Sequence, residues 1–147
     1  MRITLTVVGR LKEKFLTAGV EEYLKRLQKF ARVEIREVPE CRTLEEEGQK
    51  ILSLVPQGSW LCVLDVAGIE LTSEDFAKKI SELTLGGISN LTFAIGGAFG
   101  LSEELRAAAA FRLSLSRMTF THQMARLILV EQIYRAFKIN RNEPYHW

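Results

Sequence analysis

The sequence predicts an α/β fold of three layers with a mostly parallel sheet. Three observations carry that expectation. Short β-branched or apolar runs alternate with helical stripes along the whole chain, the pattern of strands joined by crossover helices. One run, Trp60-Leu-Cys-Val-Leu64, is uninterruptedly apolar, as a strand covered on both faces must be. At 147 residues, with 47% apolar and 26% charged side chains, the chain can bury one real core and reads as a single domain over 1–147. It holds no internal repeat, linker or low-complexity stretch.

Each element has its own local reason. Arg2-Ile-Thr-Leu-Thr-Val-Val8 has the β-branched enrichment of a strand, and Gly9 ends it. Phe15, Leu16, Val20, Tyr23, Leu24 and Leu27 recur at three and four residues and lay one apolar stripe along a helix. Val33, Ile35 and Val38 form a second strand stopped by Pro39. Thr43-Leu-Glu-Glu46 is a capping box opening a helix over Leu44, Ile51 and Leu52, and Pro56 to Ser59 break the chain before the apolar run at Trp60. Thr72-Ser-Glu-Asp75 starts a helix through Phe76, Ile80 and Leu83, which Gly86-Gly87 closes. Leu91 to Ile95 is a fourth strand, Ser102-Glu-Glu opens a helix over the four alanines, and Phe111 to Leu115 is a fifth strand. A last helix runs from about Thr121 to Lys138.

Composition narrows the classes of function. The longest apolar stretches are too short to span a bilayer, and the first residues lack the charged-then-apolar pattern of a signal peptide, so a cytoplasmic protein is expected. Cys41 and Cys62 have no neighbouring Cys or His at ligand spacing, which points to neither a disulfide framework nor a metal site. The net charge of +2 hides an asymmetry. Residues 1–105 carry 13 Lys/Arg against 16 Asp/Glu, whereas residues 106–147 carry seven against two. A basic end suits a polyanionic partner, or is simply a solvated surface.

The unusual chemistry is concentrated late in the chain. Ligands in such sheets gather beyond the carboxyl ends of strands, and three strand ends are followed by loops of small or hydroxyl residues: Leu64-Asp65, Ile95-Gly96-Gly97 and Leu115-Ser116. If these strands are neighbours, their loops build one pocket. Gly96-Gly97-x-x-Gly100 is either a tight turn or a cradle offering backbone donors; it matches neither the Walker nor the dinucleotide pattern. Asp65 is a turn cap or an acceptor for a ligand. On the last helix His122 and Arg126 lie one turn apart, with Arg126 on an otherwise apolar face. A cation there needs a partner, either an internal carboxylate or an anionic substrate group. His122 is a cap, a packing residue or a site residue. Apolar positions surround nearly all of this helix, which suggests a second surface beyond the sheet, such as another copy of the chain. The tail Pro144-Tyr-His-Trp147 is too aromatic to be left frayed.

Val7-Val8-Gly9, Glu22-Tyr-Leu24, Leu64-Asp65, Ile95-Gly-Gly97, Gly100-Leu-Ser102, Leu113-Ser-Leu-Ser116, Thr119, His122, Arg126, Tyr134-Arg-Ala136 and Asn142-x-Pro-Tyr-His146 form an ordered set from end to end. In that set the chain resembles the trefoil-knotted SPOUT methyltransferases, and within them the ribosomal RNA large subunit methyltransferase H family. The resemblance implies a SPOUT fold whose C-terminal segment threads a trefoil knot, S-adenosyl-L-methionine held bent in the knot loops, and an obligate homodimer. It also implies methylation at N3 of a pseudouridine in the helix 69 loop of 23S rRNA, on the assembled 70S ribosome, with no metal. Carried over, the cofactor contacts fall on Leu64, Gly97, Ser116, Arg117, Met118, Thr119, Phe120 and Thr121. The catalytic set implied on the substrate side is Arg126 and His146, with Tyr145 stacking on or bonding the base and His122 shaping the pocket. Four positions depart from the family pattern: Thr121 stands where a proline is common, Ala98-Phe99 is less polar than in some relatives, and Trp147 stands where relatives end in basic residues. The alternatives are a SPOUT enzyme for another RNA such as tRNA, or a ribosome-binding module without catalysis.

Overall fold

The computed structural model describes residues 1–147. Along the chain run β1 (Arg2–Val8), α1 (Lys14–Leu27), β2 (Arg32–Val38), α2 (Leu44–Ser53), β3 (Trp60–Glu70), α3 (Ser73–Leu85), β4 (Asn90–Ile95), α4 (Glu103–Ala108), β5 (Phe111–Ser114) and α5 (His122–Asn140). The strands form one five-stranded sheet in the order β2-β1-β4-β3-β5, with every pairing parallel. The period of two along each strand divides the core between the two faces. Ile3, Leu5, Val7, Leu91, Phe93, Ile95 and Cys62 pack with side chains of α1, α3 and α5. Val8, Leu61, Val63 and Ala94 pack with Ile51 of α2 and Leu105 of α4. The expected three layers are therefore present. Burial pushes the Cys62 thiol up to about 12, which makes it inert packing.

Four helix starts are capped in the same way. The side-chain oxygens of Thr43, Thr72, Ser102 and Thr121 accept from the backbone N–H of Glu46, Asp75, Leu105 and Met124 at 3.0–3.1 Å. The end of α5 is a Schellman turn, with Asn142 at φ 55° and the Glu143 N–H returning to the Lys138 carbonyl at 3.0 Å. That turn reverses the chain and lays the tail back along the helix.

Three boundaries differ from the sequence expectation. Strand β3 continues past Leu64 to Glu70 through an irregularity between Leu64 and Ile69. It can do so because Gly68 passes so close to β5 that a Cβ there would lie 2.6 Å from the Arg112 carbonyl oxygen. Helix α4 stops at Ala108, before the last two of the four alanines, because the Ala110 N–H is taken by the Leu61 carbonyl at 2.8 Å. Helix α5 extends two residues beyond Lys138.

The apolar circumference of α5 also has an internal explanation. α1 and α3 flank it on the same face of the sheet, so much of its second surface comes from its own chain. Close approach to α1 depends on Gly19, whose added Cβ would sit 3.0 Å from Leu127.

Candidate active site

β4, β3 and β5 are neighbours, but only β4 and β5 end at the site; β3 reaches it through its irregularity after Leu64 and not through its carboxyl end at Glu70. The loops after β4 and β5 and the β3 segment Leu64 to Val66 enclose a cleft of about 1210 Å³. One wall is the turn after β4, closed by the Gly100 N–H donating to the Gly97 carbonyl at 3.1 Å with Gly100 at φ 94°. Gly96 is the tightest point, since a Cβ would stand 2.4 Å from the Gly100 carbonyl oxygen. The loop is a tight turn, and Gly96 to Gly100 line the cleft.

The second wall is Leu64 and the buried Asp65. Asp65 accepts from Arg106 Nε at 3.1 Å and from the Ala67 N–H at 3.0 Å, with Arg112 3.6 Å away. Its carboxylate is thus a turn cap and charge anchor linking β3 to α4 and β5. The third wall is the segment between β5 and α5. Ser114 Oγ donates to the Ser116 carbonyl and Ser116 Oγ accepts from the Met118 N–H, each at 3.0 Å, which fixes the loop from its own residues. Its exit is fixed by the Thr121 cap. The Thr121 hydroxyl therefore holds the start of α5. Thr121→Ala is expected to lower stability by about 1 kcal/mol in urea unfolding, whereas Thr121→Ser should stay near the parent.

Of the expected cofactor residues, Leu64, Gly97, Ser116, Met118, Thr119, Phe120 and Thr121 line the cleft; Arg117 is exposed and does not. Of the expected catalytic residues, only His122 does. Arg126 is 2% exposed, with one guanidinium N–H on Glu37 at 3.1 Å and another on the Gly9 carbonyl at 2.9 Å. The internal ion pair is thus the partner present. It ties α5 to the carboxyl ends of β2 and β1.

Tyr145 and His146 lie elsewhere on their own chain. The Tyr145 hydroxyl donates to Glu131 at 2.9 Å and meets the Tyr23 hydroxyl at 3.1 Å, while its ring stands edge-on to Tyr134 at 4.8 Å. Burial and these two partners push its phenol up. His146 Nδ1 accepts from Arg135 at 3.0 Å, and Nε2–H donates to Glu74 at 2.6 Å. That bond holds the Glu74 carboxyl below its ordinary value. Arg135 is 13 residues along α5 from His122, roughly 20 Å of helix. Trp147 is 98% exposed.

Phe15, Phe99 and Met118 are site features that periodicity could not single out. They line the cleft yet are 64%, 87% and 76% exposed. Phe15 sits in the α1 stripe in sequence, but the stripe is buried at Leu16, Val20 and Leu27, which leaves Phe15 at the edge.

With the cleft placed, comparison with known proteins is informative. A family model described as "Predicted SPOUT methyltransferase" matches residues 1–146. Among solved structures, a probable methylase family protein from Haemophilus influenzae superposes with a TM-score of 0.56 over 99% of this chain and 70% of that one, at 12% identity. That likeness concerns the fold alone. The chain belongs to the SPOUT methyltransferases. Within them it belongs to the ribosomal RNA large subunit methyltransferase H family, whose member from Pelotomaculum thermopropionicum is 50% identical over 99% of this chain and 98% of its own length. The members from Halothermothrix orenii and Clostridioides difficile are each 48% identical over 99% of both chains.

Proposed function

We propose that this chain is an S-adenosyl-L-methionine-dependent methyltransferase acting at N3 of a pseudouridine in the helix 69 loop of 23S rRNA on assembled 70S ribosomes. The observation carrying this reading is the convergence of the loops after β4 and β5 with the β3 irregularity at Leu64 to Val66 on one cleft, lined at the positions where the family resemblance puts the donor. The cleft suits such a donor. Leu64, Ile95, Leu113 and Leu115 offer apolar walls for a purine face, and the backbone at Gly97 and from Ser116 to Thr121 offers polar groups for its edges and hydroxyls. When bound, the cofactor supplies an electrophilic sulfonium methyl. The glycine turn and the Ser116 loop hold and orient it, and Phe15, Phe99 and Met118 shield the mouth from water. The trefoil knot of the class belongs to this reading, with β5 and α5 in the threaded segment.

On the acceptor side, N3 must lose its proton as the new N–C bond forms, so an environment favouring the imide anion accelerates transfer. His122, at the amino end of α5, stands where the acceptor would enter. Arg126 serves as a positioning residue, holding that helix end against β1 and β2. Tyr145 and His146, remote from their own cleft, act on the RNA from the partner subunit of a homodimer. The exposed Phe15, Phe99, Met118 and Phe120 around the cleft mouth supply the apolar area for such a contact.

Methyl transfer from labelled cofactor should appear in 70S ribosomes and not in tRNA. The same preparation should sediment at twice 16.7 kDa at micromolar concentration. Label in tRNA alone would favour a different RNA target, no label in either would leave a ribosome-binding module, and a folded monomer would contradict the dimer.

A further inference from the structure

A second cavity of about 450 Å³ lies at the other end of α1 and α5. Lys25, Arg26 and Lys29 border it from the end of α1, with Lys138 from the end of α5 and Glu22 and Glu143 between them. Both carboxylates are committed, Glu22 to Arg26 at 3.1 Å and Glu143 to Lys138 at 2.6 Å. Lys25, Lys29 and Arg141 are exposed and make no direct ion pair, although Lys29 and Arg141 stand near enough to help Lys138 hold the Glu143 carboxyl below its ordinary value. The cavity's aromatic residues, Phe30 and Tyr134, already carry cations on their rings. Arg141 lies 4.7 Å from the Phe30 centroid, and Arg26 and Lys138 lie 5.7 and 5.9 Å from that of Tyr134.

We infer that this groove is a second RNA contact that holds phosphodiester backbone, with Lys25, Lys29 and Arg141 as the phosphate-binding cations. The inference rests on the rRNA reading above and extends it to a surface outside the methyl-transfer cleft. An excess of three exposed cations around half-buried aromatic rings is the composition of a backbone-tracking groove. The carboxyl ends of α1 and α5 both open on this groove, with Lys29 just past the Gln28 cap and Arg141 itself the cap of α5, so the two helix dipoles favour cations here but do not supply them with a counter-charge. Position supports the same conclusion. Glu143 borders the groove three residues before His146, and Tyr134 contacts both the groove and Tyr145. RNA held here would pass along the tail assigned to the substrate.

The test is the triple variant Lys25→Gln, Lys29→Gln, Arg141→Gln, assayed beside the equally charge-reduced Arg42→Gln, Lys50→Gln, Lys78→Gln. For the groove variant, KM for 70S ribosomes should rise by roughly tenfold, and the slope of log(kcat/KM) against log[KCl] should become shallower by about 2. Its turnover at saturating ribosomes and its calorimetric affinity for S-adenosyl-L-methionine should match the parent. The control triple should change none of these. An unchanged KM and slope, or the same loss in both triples, would overturn the inference. If the unaltered protein methylates no ribosomes, the rRNA reading fails separately, and the groove is judged by fluorescence anisotropy with a single-stranded RNA oligonucleotide. Weaker binding in the groove variant alone would then support it, and equal binding of both triples would overturn it.

Discussion

Arg126→Ala should lower the unfolding free energy by about 3 kcal/mol, a melting shift of roughly 10 °C for a chain of this size. The magnitude follows from what the substitution leaves behind. The Gly9 carbonyl loses its donor beneath α5, and a long side chain that is 2% exposed vacates the contact between that helix and the ends of β1 and β2. Glu37 is 42% exposed, so its carboxylate can turn to water and adds little to the loss. Glu37→Gln keeps an acceptor for Arg126 but leaves a buried cation without its counter-charge, so it should still cost about 2 kcal/mol. Turnover should fall with Arg126→Ala even at temperatures where the variant remains folded, because the amino end of α5 carries His122 and the Thr121 cap. Thermal unfolding by circular dichroism together with single-turnover methyl transfer checks both parts. A variant as stable as the parent but inactive would assign Arg126 to the substrate directly.

The second large effect is expected at Gly96. An alanine Cβ would stand 2.4 Å from the Gly100 carbonyl oxygen and 2.9 Å from Leu101 Cδ2, and the first of these is backbone that cannot turn away. The turn must open, and with it one wall of the donor cleft. S-adenosyl-L-methionine affinity should fall by about two orders of magnitude, equivalent to ~2.7 kcal/mol. Gly97→Ala is the informative neighbour. Its Cβ would meet Val8 Cγ1 at 3.1 Å and Glu47 Oε1 at 3.4 Å, both side-chain atoms able to yield. Its loss should stay within about tenfold. Isothermal titration calorimetry on the pair tests the ordering, and equal affinities would mean that the turn does not bear on the cofactor.

These two positions illustrate which parts of the molecule were legible in the chain. The Gly96-Gly97-x-x-Gly100 pattern is local and marked a turn. The helix starts at Thr43, Thr72, Ser102 and Thr121 were equally local, each a side chain capping an amide three residues on. That these three segments share one cleft depends on the order β4-β3-β5, which alternation of strands and helices does not encode. The family resemblance carried that step. Arg126 was recognisable as a cation needing a partner, but Glu37 lies 89 residues earlier, and no periodicity links α5 to the end of β2. The aromatic tail was expected to pack, and Tyr145 and His146 do, whereas Trp147 is 98% exposed. The tail's seat against Glu74, 72 residues away, and on Tyr23 became visible only in three dimensions. The extension of β3 beyond Leu64 escaped for a different reason. Val66-Ala-Gly68 reads as a loop, and it is the unpaired stretch of β3: pairing with β5 lapses after Leu64 and resumes at Ile69, where Gly68 passes close to the Arg112 backbone.

The central claim is methyl transfer to one nucleotide of the large ribosomal subunit RNA by this chain. Mass mapping of 23S rRNA after incubating the purified protein with S-adenosyl-L-methionine and unmodified 70S ribosomes tests it most directly. A single added methyl should map to a pseudouridine in the helix 69 loop, at N3, and should be lost with Gly96→Ala. A methyl at another nucleotide, or none on ribosomes that accept one from a related enzyme, would contradict the account.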